Sequence, residues 1–243
     1  MTQVGTVLSL GDVALAELAG AALDFAWIDL EHGALGLRDA QALAIALAAS
    51  GCAAHARVPS IDSELLGPLL DAGVDGVVAP RVDTADQARR LAARLAYPPT
   101  GRRGFGPRRA GGYGRVGRFW DSDAARVSCT VQIESLAGVA ACAEIAAVEG
   151  IDALVVGCSD LALALDAPGR LDDPDMRECV DAVADACARA EVAFGLAAGG
   201  EPDALAELSG GRAQLVVYSA DVRLYAGAVD AAVRSLEGLH AGA

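Results

Sequence analysis

Asp29, Glu31 and His32 stand together at the end of a short apolar run, Phe25-Ala26-Trp27-Ile28, and Gly33 turns the chain after them. Imidazole titrates near neutral pH, so His32 is a candidate general acid/base. The structural alternative is a histidine that only makes hydrogen bonds. Similar polar residues close three other apolar runs. Arg57 follows AAHA, Gln132 and Glu134 sit in VQIE, and Ser159 and Asp160 follow ALVVGC. Two carboxylates on neighbouring strands can hold Mg²⁺ or Mn²⁺ and leave positions open for water or substrate. Glu134 and Asp160 are therefore candidate metal ligands. Each could instead cap the helix that follows it. Glu is a poor cap and Ser135 a good one, whereas Ser159 and Asp160 both could serve. Arg57 could grip a carboxylate or an oxyanion, or it could be used in an ion pair with Asp29 or Glu31. Asp71 ends a helical stretch, where a carboxylate opposes the helix dipole and suggests a partner.

These residues need a scaffold that brings strand ends together. Strand-like runs at Val4–Leu10, Phe25–Leu30, Ala53–Val58, Gly76–Ala79, Val127–Ile133, Ala153–Gly157, Val192–Leu196 and Gln214–Tyr218 alternate with helical patterns. The helices are expected at Asp12–Gly20, Leu37–Ser50, from a cap at Ser60 or Asp62 to Ala72, Thr84–Leu95, Ser135–Ala147, Pro174–Ala190, Pro202–Leu208 and Asp221–Leu236. Helical connections make neighbouring strands parallel. Eight such units in 243 residues predict a single-domain α/β protein, a (β/α)8 TIM barrel spanning 1–243, with its chemistry at the carboxyl ends of the strands. An open doubly wound sheet is the alternative, but no GxGxxG follows the first strand. The rhythm breaks at 97–121, where three prolines, seven glycines and several arginines predict a long loop. Its basic part, Arg102 to Arg109, is a lid, a subunit contact or a phosphate or CoA site. Gly199-Gly200 after the seventh strand is a weak phosphate signal.

The net charge of −14 argues against nucleic-acid binding. Six scattered cysteines without a CxxC pair read as reduced thiols in a cytoplasmic protein. The N-terminus lacks a signal-peptide pattern and the longest apolar run is too short to span a bilayer. His55, within a strand, and His240, near the C-terminus, read as structural or solvated.

Six segments in order carry a resemblance: WIDLEHG (Trp27 to Gly33), ARVPS (Ala56 to Ser60), LLDAGVDGVVAPRV (Leu69 to Val82), YPPTGRRGFG (Tyr97 to Gly106), VQIES (Val131 to Ser135) and VEGIDALVVGCSDLA (Val148 to Ala162). The chain resembles the class II, metal-dependent pyruvate aldolases of the HpcH/HpaI aldolase/citrate lyase family. That resemblance implies a barrel of the phosphoenolpyruvate/pyruvate-binding type that cleaves or forms 4-hydroxy-2-oxo acids, yielding pyruvate and an aldehyde. Oxaloacetate decarboxylation with enolate capture, or hydroxyacyl-CoA cleavage, is the alternative on the same scaffold. Glu134 and Asp160 would bind a divalent metal (Mg²⁺, Mn²⁺ or Co²⁺), and Arg57 would stabilise the enolate. His32 would act as acid/base, oriented by Asp71. Gln132 and the backbone near Ser159 would contact the oxo acid, with Asp29 and Glu31 holding the network. No strand-end lysine is present for a Schiff base. A homo-oligomer, a hexamer or trimer with the last helix exchanged between subunits, is also implied, and the loop from Tyr97 would close the site at an interface. Cys158-Ser159 departs from the Pro-Ala pair expected in many such aldolases.

Overall fold

The apolar run at Phe25 is too short for a helix and rich in residues that suit a strand. In the computed structural model it forms β2 (Phe25–Asp29), with every residue buried. The structure describes residues 1–240 except Glu201, with backbone alone for Ala124 and 237–240. The side chain of His240 thus lies outside the described residues. The strands are β1 (Gln3–Leu8), β2, β3 (Ala53–Arg57), β4 (Gly76–Ala79), β5 (Ser128–Ile133), β6 (Ala153–Gly157), β7 (Ala193–Ala198) and β8 (Leu215–Ala220). Each pairs in parallel with the next, and β8 closes onto β1. Around them run α1 (Val13–Gly20), α2 (Leu37–Ala49), α3 (Leu66–Ala72), α4 (Ala85–Leu95), α5 (Leu136–Ala140), α6 (Cys142–Ala146), α7 (Cys158–Ala164), α8 (Pro174–Ala190), α9 (Pro202–Ser209) and α10 (Asp221–His240). This is the expected (β/α)8 barrel.

Successive residues of a strand point to opposite faces. On β2, Ala26 and Ile28 join the layer between strands and helices. Phe25 and Trp27 point inward, where they fill the barrel with Val78, Val155 and Val217. The same alternation puts Asp29 inside the mouth, two residues beyond Trp27. Registers place its neighbours, since Asp29 lies opposite Arg57 and Gln132 opposite Val155. The low aromatic content is thus offset by small inward residues and by two rings on a single strand.

Several local expectations are corrected. Neither Ser60 nor Asp62 caps α3, which starts at Leu66 after Leu65 with no side-chain cap. Arg94 explains this: it donates to the carbonyls of Ile61 (2.6 Å) and Ser63 (2.7 Å), holding that stretch outside the helix. The helix expected over Ser135–Ala147 is split at Ala141, whose φ of −98° and ψ of 2° are not helical. Strand β1 stops at Leu8 because the next two N–H groups donate to Asp221 Oδ2 rather than to a neighbouring strand. Asp12, Thr84 and Ser135 cap α1, α4 and α5. The long loop holds only short 3₁₀ turns, at Arg109–Gly114, Phe119–Asp121 and Asp123–Ala125. It links α4 to β5 and therefore emerges at the amino end of the strands, opposite the face where Asp29 and Arg57 end. Within one chain it cannot be a lid over those residues. Among the described residues no helix is long and apolar enough to cross a membrane.

Candidate active site

A cavity of about 400 Å³ opens at the carboxyl ends of the strands, lined among others by Trp27, Asp29, His32, Arg57, Gln132, Ser159 and Asp160. A larger cavity, about 980 Å³, lies at the other end of the barrel between α4, the long loop and α6. It holds none of the candidate residues, so size alone would misplace the site.

Asp29 organises the first wall. Arg57 Nε donates to its Oδ1 at 2.9 Å and Arg57 Nη2 to its Oδ2 at 2.7 Å. The N–H groups of Glu31 and His32 also donate to Oδ1, at 3.0 and 3.3 Å. Burial pushes the Asp29 carboxyl upward, but the Arg57 bonds and charge and the two N–H donors outweigh it, and the net shift is down. The ion pair considered from sequence therefore exists. It does not use up Arg57, because both bonds to Asp29 leave Nη1 for a ligand. Glu31 lies 3.6 Å from Arg57 Nε, 3.8 Å from His32 Nε2 and 3.0 Å from Arg81 Nη2. Burial still raises its carboxyl, with those cations opposing. The His32 side chain remains 65 % exposed at the mouth, free to meet a substrate.

Glu134 lies behind the opposite side of the lining, against Gln132 and Gly157. Ser135 caps α5, so the capping alternative for Glu134 falls. Its Oε1 accepts from the Arg81 N–H at 2.8 Å and its Oε2 from Gln132 Nε2 at 3.2 Å. Arg81 takes a φ of 52°, a left-handed backbone unusual for a side-chain-bearing residue, and its N–H is the one donated to Glu134. Burial pushes the Glu134 carboxyl up to about 7; the Arg81 N–H opposes this, and the charges of Asp160 and Glu31 add to it. Asp160 lies in the first turn of α7 and is exposed, and neither it nor Ser159 caps that helix. Gln132 Oε1 is buried without a partner. A desolvated carboxylate facing a second carboxylate, beside an unpartnered amide oxygen, is an environment a hard divalent cation relieves. Among the described residues no three His, Cys, Asp or Glu side chains cluster to hold a metal ion. The protein donors would thus be the two carboxylates.

Asp71 is not brought to His32. It ends α3, at the amino end of the barrel, where its Oδ1 is 4.0 Å from Arg103 Nη2. Burial raises its carboxyl, with Arg103 and Arg108 opposing. A dyad of His32 with Asp71 is not formed within one chain, because a residue at a helix end and one at a strand end sit on opposite faces. His55 is structural: burial lowers its pKa and its ring stacks on Phe25 at 5.6 Å. All six cysteines are free.

Sequence reasoning missed three contributors: Arg81, Gly157 and Arg223. Arg81 acts through its backbone N–H, which no side-chain pattern reports. Gly157 lines the cavity, and a Cβ there would lie 2.7 Å from Glu134 Oε2. Arg223 is the third residue of α10, a helix expected from sequence without any sign that its start reaches the cavity.

Similar proteins share this sequence pattern and this barrel. The family described as HpcH/HpaI aldolase/citrate lyase matches residues 8–225. Over 194 residues the chain is 39 % identical to a 4-hydroxy-2-oxovalerate aldolase of Rhodococcus jostii, covering 79 % of this chain and 74 % of that protein. It is 37 % identical over 183 residues to a hydroxypyruvate/pyruvate aldolase of Agrobacterium fabrum, covering 74 % and 69 %. A crystal structure of an HpcH/HpaI aldolase/citrate lyase family protein from Burkholderia cenocepacia superposes with a TM-score of 0.90 at 32 % identity, covering 97 % of this chain and 95 % of that one. With family model, relatives and barrel in agreement, this chain belongs to the HpcH/HpaI aldolase/citrate lyase family.

Proposed function

We propose that the chain is a divalent-metal-dependent aldolase that cleaves, or in reverse forms, a 4-hydroxy-2-oxo acid, giving pyruvate and an aldehyde. The observation that carries this is the convergence of Arg57, His32 and Asp160 on one cavity at the barrel mouth, with Glu134 behind its Gln132 and Gly157 lining and within reach of the Asp160 charge. A second sequence fact narrows the chemistry: the chain contains no lysine, so no side-chain amine exists for a Schiff base. When bound, a cation (Mg²⁺, Mn²⁺ or Co²⁺) held by Glu134 and Asp160 supplies Lewis-acid polarisation of the 2-oxo group.

The residues then divide the work. Arg57, fixed by its two bonds to Asp29, presents Nη1 to the 2-oxo oxygen, where negative charge grows as the C3–C4 bond breaks. His32 accepts the proton of the 4-hydroxyl as the aldehyde forms, and its exposed ring can return a proton to C3 of the enolate. Gln132 steadies Glu134 through Nε2 and offers Oε1 to a donor on the bound oxo acid's solvent shell. Ser159 and the start of α7 face the substrate carboxylate. Asp29 and Glu31 hold Arg57 and His32 in register. Asp71 can orient His32 only if a second copy supplies it, so that role depends on the homo-oligomer, hexamer or trimer, that we also propose. The small-molecule substrate and the six free thiols fit a cytoplasmic enzyme. The CoA-ester alternative loses its main support, because the arginine-rich loop emerges at the far end of the barrel from the cavity.

The test is solvent-deuterium exchange into the methyl group of pyruvate, with and without Mg²⁺ or Mn²⁺. Metal-dependent exchange is expected. It is expected to fall by about 10²-fold or more in Glu134→Ala and in Asp160→Ala, with native circular dichroism retained. Exchange that ignores metal, or that survives both substitutions, overturns the reading.

A further inference from the structure

Arg223 is the third residue of α10 and lines the same cavity as His32, Arg57 and Asp160, from the β7–β8 side. Its guanidinium lies over the backbone of Gly199: a Cβ at that position would stand 3.2 Å from Nη1 and 3.3 Å from Cζ. A side chain there would press on the guanidinium, which would have to give by a few tenths of an ångström. The turn beneath it is held by the Tyr218 hydroxyl, which donates to the Gly200 carbonyl at 2.8 Å. The nearest carboxylate in sequence, Asp221, is occupied by the Ser9 N–H, the Ser9 hydroxyl and the Leu10 N–H. Among the described residues no ion pair or hydrogen bond engages Arg223.

The charge balance of the cavity makes this notable. Arg57 is matched by Asp29 and Glu31. Among the described residues Arg223 is a second cation of this lining without an ion-pair partner, exposed at the mouth, on a chain whose net charge is −14. The same lining carries small apolar residues, Ala197, Ala198, Val217 and Ala220, interspersed with Ser9 and Ser219. A cavity of about 400 Å³ is within the usual range for a small ligand. An unpaired guanidinium in such a lining is suited to a carboxylate or phosphate, which it can hold through paired N–H donors.

We propose that Arg223 is a specificity-determining residue that binds an oxyanion group at the far end of the aldehyde, so that the substrates are 4-hydroxy-2-oxo acids with a second, anionic terminus. This rests on the aldolase reading above. The aldehyde portion lies along Ala197, Ala198 and Val217, while the pyruvate portion sits at Arg57 and the carboxylate pair.

The experiment compares charged and neutral aldehydes of matched length in pyruvate addition: glyceraldehyde 3-phosphate against glyceraldehyde, and succinic semialdehyde against butanal. The wild type is expected to prefer the charged member of at least one pair. Arg223→Ala is expected to shrink that ratio of kcat/KM by about 10- to 100-fold, with Arg223→Lys retaining part of it. The pair that responds more identifies phosphate or carboxylate as the group bound. An unchanged ratio in Arg223→Ala overturns the proposal. Calorimetric titration with the unreactive anions glycerol 3-phosphate and succinate gives a readout free of turnover. Binding lost in Arg223→Ala supports the subsite even if wild-type pyruvate shows no deuterium exchange, in which case the aldolase reading alone fails. Exchange present, with anion binding equal in both proteins, overturns the subsite alone.

Discussion

Asp29 accepts hydrogen bonds from Arg57 Nε, Arg57 Nη2 and the N–H groups of Glu31 and His32, and its pKa is lowered on balance. A lowered carboxylate stabilises the fold fully above its unfolded pKa of about 4 and loses that contribution as pH falls through the lower folded value. Asp29→Asn is therefore expected to flatten the loss of thermal stability below about pH 4. Melts across pH 5 to 2 that superpose in slope with the wild type would remove Asp29 from that limb. Taking away the other partner is more damaging. Arg57→Ala leaves Asp29 buried without its cation, and urea unfolding is expected to show a loss of about 3 kcal/mol. Gly157 acts through the room it leaves. Gly157→Ala puts a methyl group 2.7 Å from Glu134 Oε2, and Mn²⁺ affinity by titration is expected to fall about tenfold. Undiminished affinity would show that Glu134 does not hold the ion.

At the scale of elements, Asp221 joins the two ends of the barrel sequence. It begins α10 directly after β8, and its buried carboxylate accepts from Ser9 and Leu10 just beyond β1. Asp221→Ala removes the acceptor of the Ser9, Leu10 and Val222 N–H groups, and a loss of about 2 kcal/mol in unfolding free energy is expected. A loss within error would mean water replaces the carboxylate. The strands and helices also decide which thiols react. Burial pushes Cys158 up to about 12 and Cys52 up to about 11, while Cys179 on α8 is the one cysteine not fully buried. Iodoacetamide on the native protein is expected to label Cys179 first, and the other cysteines only after unfolding. Early labelling of Cys158, beside Ser159, would show that the start of α7 opens.

For the whole molecule, α10 presents Val222, Leu224, Tyr225, Val229, Val233 and Leu236 as exposed apolar residues. Such a face supports the proposed homo-oligomer. Light scattering is expected to give a mass several times that of the 24.5 kDa chain, and Val229→Glu with Val233→Glu is expected to lower it. A monomer in the wild type would remove the only route by which Asp71 could reach His32. The arginine-rich loop belongs to the same question. It packs its aromatic residues at the amino end of the barrel, with Arg103 4.5 Å over the Tyr97 ring, remote from its own chain's cavity.

The amino-acid sequence alone was enough for the barrel and for most of the strand-end residues. Period-two and helical patterns depend only on which neighbouring side chains are apolar, and parallel connection follows from the helices between strands. Residues such as Glu134, Arg57 and Asp160 were legible because a polar group at the end of an apolar strand is costly to desolvate unless something binds it there. Tertiary structure decided what depends on distance between remote segments. It placed Asp71 and the arginine loop on the face opposite His32. It showed that Arg57 is paired with Asp29 and still able to meet a ligand. It also revealed Arg81 through a backbone N–H, Gly157 through the space beside Glu134, and Arg223 through its position over Gly199. None of these last features has a local signature. Each exists only because closing a barrel brings segments far apart in sequence within a few ångströms of one another.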